Sequence, residues 1–208
     1  MHGLQRFIFI TLFSVCSAVQ AGGEPEDIQA LRNLLKPITS LSAKFTQEVS
    51  DADGFLLQAS EGLFQVSQTA KLRWIVEQPM QQQIISDGET LWVFDPDLDQ
   101  VIVQPFNQDI AATPAILFSD DLDQLDAAFF IREQAAGQFV LTPEQSGSLF
   151  NSMEIIFVDQ QPVSISLTDN LEQVTTIAFT ELVLNPNLAA NLFVFEIPLG
   201  IDVINNAN

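Results

Sequence analysis

Among side chains able to do proton-transfer or nucleophilic chemistry, only carboxylates are plentiful. The chain carries 27 Asp and Glu against 7 Lys and Arg, with one His, one Cys and no Tyr. His2 and Cys16 both fall within the first 21 residues. The remainder has no Ser-His-Asp triad, no thiol nucleophile and no zinc site built on imidazole or thiolate. It also lacks a G-x-S-x-G elbow, a Gly-rich phosphate loop and a dinucleotide fingerprint. Asp95-Pro96-Asp97-Leu98-Asp99 imitates the opening of a calcium loop. Gln100, however, stands where that loop turns on Gly, and Phe106 where a bidentate Glu would close the shell. Asp120, Asp121, Asp123 and Asp126 read as a solvated loop. A hydrolase working through two carboxylates is an open alternative that no spacing favours. The residues point to no enzyme, no metal and no cofactor.

What the chain does supply is apolar surface that asks for no hydrogen bond. It has 17 Phe, of which Phe7, Phe9 and Phe13 lie near the start. Phenylalanine offers area and a polarisable ring without a hydroxyl to satisfy. That suits a surface for flexible apolar ligands, and it equally suits an ordinary core.

The stretch Leu72–Pro105 must position much of this surface. Ser86-Asp87-Gly88-Glu89 is the clearest turn, read as a two-residue Asp-Gly loop, and Asp95-Pro96-Asp97 is the next reversal. Strands are therefore expected at Leu72–Glu77, Gln82–Ser86, Glu89–Phe94 and Gln100–Gln104. Leu72, Trp74 and Val76 share one face of the first, with Arg73 and Ile75 on the other. Leu91-Trp92-Val93-Phe94 is apolar on both faces, which predicts a sheet covered on both sides.

Further strands are expected at Ala43–Ser50, at Phe55–Ser67 with a bend at Glu61-Gly62, and at Ala128–Gln134, Gln138–Thr142, Ser152–Val158, Val163–Leu167 and Gln173–Leu184. That makes about eleven short strands with regular turn signals, the pattern of an antiparallel sandwich or barrel. Two helical stretches interrupt it. Glu24-Pro25-Glu26-Asp27 opens a helix with Ile28, Leu31, Leu34, Leu35 and Ile38 at helical spacing, ended by Lys36-Pro37. Thr113-Pro114 opens a second, short one over Ala115-Ile116-Leu117-Phe118.

The first 21 residues read as a secretory signal: His2 and Arg6, an apolar run from Phe7 to Val19, then Val19-Gln20-Ala21. Thirteen residues rise only about 20 Å as a helix, short of a membrane span. Val15 before Cys16 argues against acylation there, and residues 22–208 form a single domain. Without the signal the charge is −21, from 27 acidic and 6 basic residues. Nucleic acid, whose binding needs phosphate neutralisation, is disfavoured as a partner, and so are anionic membrane surfaces.

Several motifs occur in a characteristic order: Leu41-Ser42-Ala43-x-Phe45-Thr46-Gln47, Arg73-Trp74, Gln78-Pro79, Ser86-Asp87-Gly88-x-Thr90-Leu91-Trp92, Asp95-Pro96, Thr113-Pro114 and Phe193-x-Phe195-x-x-Pro198-x-Gly200-x-Asp202-Val203. Together they resemble the LolA family of periplasmic outer-membrane lipoprotein carriers. The resemblance implies a mainly β fold, an unclosed half-barrel covered by short α-helices around an apolar cavity. It implies a periplasmic chaperone that shields the acyl chains of lipoproteins freed by an inner-membrane ABC-type release complex and delivers them to the outer-membrane receptor LolB, with no stable membrane insertion and a monomeric state. Leu72, Trp74, Val76, Trp92 and Phe94 would line the cavity, and Leu31, Leu35, Ile116, Leu117 and Phe118 would form the lid. Where family members often carry an Arg-Pro latch, this chain has Gln68-Thr69, so Gln68 is the candidate latch, with Lys71 as its substitute. The alternatives are the receptor itself or an envelope sensor of the same fold, for which acylated Cys16 would be the mark, or a carrier of another lipid.

Overall fold

In a computed structural model of the chain, residues 25–206 are described apart from 69, 107–124, 126, 145–147 and 149. The signal stretch, Cys16 and the helix expected over Ile116, Leu117 and Phe118 therefore lie outside the described residues. One helix and a single sheet organise what is described. Helix α1 (Pro25–Leu35) starts on Pro with Glu26 and Asp27 in its positive first turn, and Pro37 stops it.

Twelve strands follow: β1 (Ser40–Ser50), β2 (Leu56–Ser67), β3 (Lys71–Gln78), β4 (Gln82–Asp87), β5 (Thr90–Asp95), β6 (Gln100–Pro105), β7 (Phe129–Ala135), β8 (Gln138–Pro143), β9 (Phe150–Val158), β10 (Gln161–Asp169), β11 (Val174–Leu184) and β12 (Asp202–Asn205). Their order across the unclosed sheet is β12-β6-β5-β4-β3-β2-β1-β11-β10-β9-β8-β7. All pairs are antiparallel except β12 with β6. Eleven of these strands follow the alternation of the sequence. The twelfth, four exposed residues long, does not announce itself locally.

Two details of the meander differ from expectation or sharpen it. The β4–β5 loop is Gly88-Glu89 rather than Asp-Gly, and Gly88 alone takes positive φ, at 100°. Asp87 instead braces the turn, its Oδ1 accepting from the backbone N–H groups of Glu89 and Thr90 at 2.9 and 2.8 Å. The bend expected at Glu61-Gly62 is present as a register shift against β3.

The core lies on one face of the sheet, here the inner face. Leu31 and Leu35 of α1 join Leu41, Ala43, Phe45, Phe64, Val66 and Leu72 of β1–β3, and Phe139, Leu141, Met153, Ile155, Ile165, Ile177 and Phe179 further round. Burying each such side chain contributes about 1.5–3 kcal/mol. The outer face of β1 and β9–β11 is mostly polar, for example Ser166 Oγ and Thr176 Oγ1 at 3.1 Å.

A strap covers the outer face at the other end. After β11 the chain runs back across the sheet to reach the edge of β6, through a short 3-10 turn at Ala190–Phe193. This strap buries Phe193 over β3 and β4 and brings Phe195 against Phe94, with ring centroids 5.2 Å apart.

Candidate functional site: an apolar inner face

Cross-strand partners share a face, so the register assigns every candidate. Trp74 pairs with Phe64 and Ile84, and Ile84 pairs with Val93, which pairs with Ile102. Leu72, Trp74, Val76, Ile84, Val93 and Ile102 therefore point inward together. Leu72 is buried, while the other five are only half-buried. The inner face is thus closed where α1 covers it and partly open toward β3–β6.

Trp74 is the centre of this open region. Its ring lies 4.4 Å from Phe45 and 5.2 Å from Phe64, and Phe64 stacks on Phe179 at 5.4 Å. Gly62 makes the close packing possible. A Cβ there would meet Ile75 O at 1.8 Å and the Phe45 ring at 3.1 Å.

Trp92 and Phe94 do not join this group. Trp92 pairs with Ile85 and Val103, and Phe94 with Val101, all on the outer face under the strap. Ile85, Phe94, Val101 and Phe193 are buried there as a second apolar layer. The two-sided apolarity of β5 is real, but its aromatic side faces away from Trp74. The larger residues of β5 are not the inward ones: Val93, with Ile84 and Ile102 on its neighbours, takes that face, as counting through the two hairpins requires.

Of the lid candidates, Leu31 and Leu35 sit in the core cluster, with Ile28, Ala30 and Leu34 against it, and α1 lies against β7. Ile116, Leu117 and Phe118 are outside the described residues. The joint between α1 and β1 is clamped by Asn185, a residue with no local mark in the sequence. Its Oδ1 accepts from Thr39 N and Oγ1 at 2.7 and 3.0 Å, and its Nδ2 donates to Pro37 O at 3.0 Å. Gln68 is exposed beside this joint, its backbone N–H donating to Thr39 O at 3.0 Å.

Of the carboxylates that raised other possibilities, Asp120, Asp121, Asp123 and Asp126 lie outside the described residues, and Asp95 braces a turn. Asp95 Oδ1 accepts from the N–H groups of Asp97 and Leu98, at 3.1 and 3.2 Å. No helix among the described residues is long and apolar enough to cross a membrane.

The model of the family described as outer membrane lipoprotein carrier protein LolA matches residues 36–196. The chain belongs to this family. An outer-membrane lipoprotein carrier protein of Hahella chejuensis is 34% identical over 196 residues, covering 92% of this chain and 94% of its own. Another, of Alcanivorax borkumensis, is 39% identical over 174 residues, 82% of this chain and 83% of its own. Among solved structures, an uncharacterized conserved protein from Thermus thermophilus matches with a TM-score of 0.52 at 14% identity, covering 87% of this chain and 98% of its own. That last likeness is one of fold alone. Within the lipoprotein carrier family, the half-open inner face around Trp74 is the feature of this chain suited to hydrocarbon.

Proposed function

We propose that this protein is a periplasmic carrier of acylated lipoproteins, a binding protein rather than a catalyst. It receives them from an inner-membrane ABC-type release complex and hands them to the outer-membrane receptor LolB. The observation that carries the reading is the run of half-buried apolar side chains on the inner face, Trp74, Val76, Ile84, Val93 and Ile102, in a chain of the lipoprotein carrier family. Leu31 and Leu35 on α1 act with Ile116, Leu117 and Phe118 as the lid, and Gln68 or Lys71 takes the place of the family latch.

Magnitudes shape the mechanism. Each buried methylene is worth about 0.8 kcal/mol, so three acyl chains in water would expose tens of kcal/mol of apolar surface. A bilayer hides the same chains equally well, so a carrier gains little over the membrane it draws from. Loading then needs work from outside, and unloading needs an acceptor with a better apolar site.

The test is reconstitution. Trp74→Glu should abolish release of a lipoprotein from inner-membrane vesicles and binding of a fluorescent acyl probe, with the circular dichroism spectrum unchanged. Release at the wild-type level by that variant overturns the assignment.

A further inference from the structure

Among the described residues, the most exposed large apolar side chains are gathered at one rim of the sheet. The β1–β2, β3–β4, β5–β6 and β10–β11 connections and the start of β12 all lie at this rim, as the pairing registers require. It displays Phe55, Leu56 and Leu57, then Met80, Leu98, Leu171 and Leu199, from 54% exposed at Leu57 to 75% at Leu171, with Leu199 fully open. The opposite rim turns on Gly88-Glu89, Ala136-Gly137 and Asp159-Gln160.

Three of the display turns are built alike. Asp51 Oδ1 accepts from Asp53 N and Phe55 N at 3.0 and 2.9 Å. Asp95 Oδ1 accepts from Asp97 N and Leu98 N, as described above. Asp169 Oδ1 accepts from Leu171 N and Gln173 N at 2.8 and 2.9 Å. In each turn the carboxylate fixes the backbone of the exposed apolar residue itself. Asp202 N donates to Asp99 O at 2.8 Å, tying the Leu199 segment to the Leu98 turn. Neighbouring turns stand two strands apart, so the apolar knobs recur roughly every 10 Å along the rim.

Exposed apolar residues held in order gain nothing for folding. Their order does lower the entropy lost on docking, and patches of this kind mark interaction sites. Charge decides the occupant. The same turns carry Asp53, Asp97, Asp99 and Glu172 beside the bracing carboxylates, and no Lys or Arg. Such a field repels an anionic bilayer and a second copy of this chain, and draws in a basic surface.

We propose that this rim is a docking edge for a partner protein whose contact surface is rich in Lys and Arg and offers apolar sockets to the knobs. The placement is independent of where acyl chains lie; only the choice of probes below rests on the carrier reading. The probes are the periplasmic part of the release complex, the receptor without its acyl anchor, and vesicles of equimolar phosphatidylethanolamine and phosphatidylglycerol. The full mature chain is compared with Leu98→Ser/Leu171→Ser, with Asp53→Asn/Asp97→Asn/Glu172→Gln, and with Val158→Ser at the far rim. Both rim variants should lose about tenfold or more in affinity for at least one protein probe, the size expected of an interfacial anchor. Binding should fall steeply with salt, and Val158→Ser should match wild type. Wild-type affinity in the rim variants, salt-insensitive binding, no binding to either protein, or attachment of the rim to vesicles or to a second copy each overturns the proposal. The fluorescent acyl probe separates the two readings. Rim variants keep its binding, whereas failure of the wild-type chain to bind it counts against the carrier reading alone.

Discussion

Gly62 shows how one missing side chain sets the inner face. Its place opposite Phe45 leaves no room for a methyl group, since the nearest backbone atom, Ile75 O, would be 1.8 Å away. Gly62→Ala should destabilise the fold by roughly 1–3 kcal/mol through backbone displacement, read from urea unfolding. At the outer surface, Lys44 Nζ lies 2.7 Å from Glu181 Oε1, and this hydrogen bond, with the carboxylate charge, holds the lysine pKa above its ordinary 10.5. A raised folded-state pKa means the pair's contribution is complete below pH 10.5 and is lost as pH climbs through the raised value. With both side chains mostly exposed, that contribution is heavily screened. Glu181→Gln should bring the Lys44 titration measured by NMR back down toward 10.5 and leave stability at neutral pH nearly unchanged. At this scale the sequence was informative about Trp74, because β3 alternates apolar with polar. It misled at Trp92 and Phe94, because a strand apolar on both faces carries no local mark of which side is which.

Elements were the most legible level. Turn residues and alternation located eleven strands, and capping chemistry located α1. The twelfth strand was hidden for a physical reason: β12 is four residues long and exists only through parallel pairing with β6, which is distant in sequence. The clamp at Asn185 was hidden likewise, since its partners lie about 146 positions away. Asn185→Ala should cost about 0.5–1.5 kcal/mol through the lost hydrogen bonds, water replacing them at this exposed joint, and should speed hydrogen exchange across α1. The strap gives another prediction. Phe193 is 1% exposed, so Phe193→Ala should lose about 3–5 kcal/mol in chemical denaturation and uncover Ile85 and Val101. Because that damage falls on the outer face, the folded fraction should still bind the acyl probe.

Across the whole molecule, one-sided charge dominates. A formal −20 over 208 residues is self-repelling, and repulsion between exposed charges fades once the Debye length shrinks to about 10 Å near 0.1 M salt. The melting temperature should therefore rise between very dilute buffer and that ionic strength, as scanning calorimetry can show. The same charge is unfavourable to contact with anionic bilayers. The family could be read from scattered motifs because a half-barrel demands the same turns wherever it forms. The two-sided arrangement, inner face against strapped outer face, could not be read, since it depends on where a late segment crosses the sheet. That crossing has a consequence for biogenesis. The hem that finishes the sheet is made long after the strand it borders, so until it arrives β6 stands as a raw border open to any stray extended peptide. A chain stalled before residue 202 would be expected to tangle with its neighbours even though most of its fold is already made.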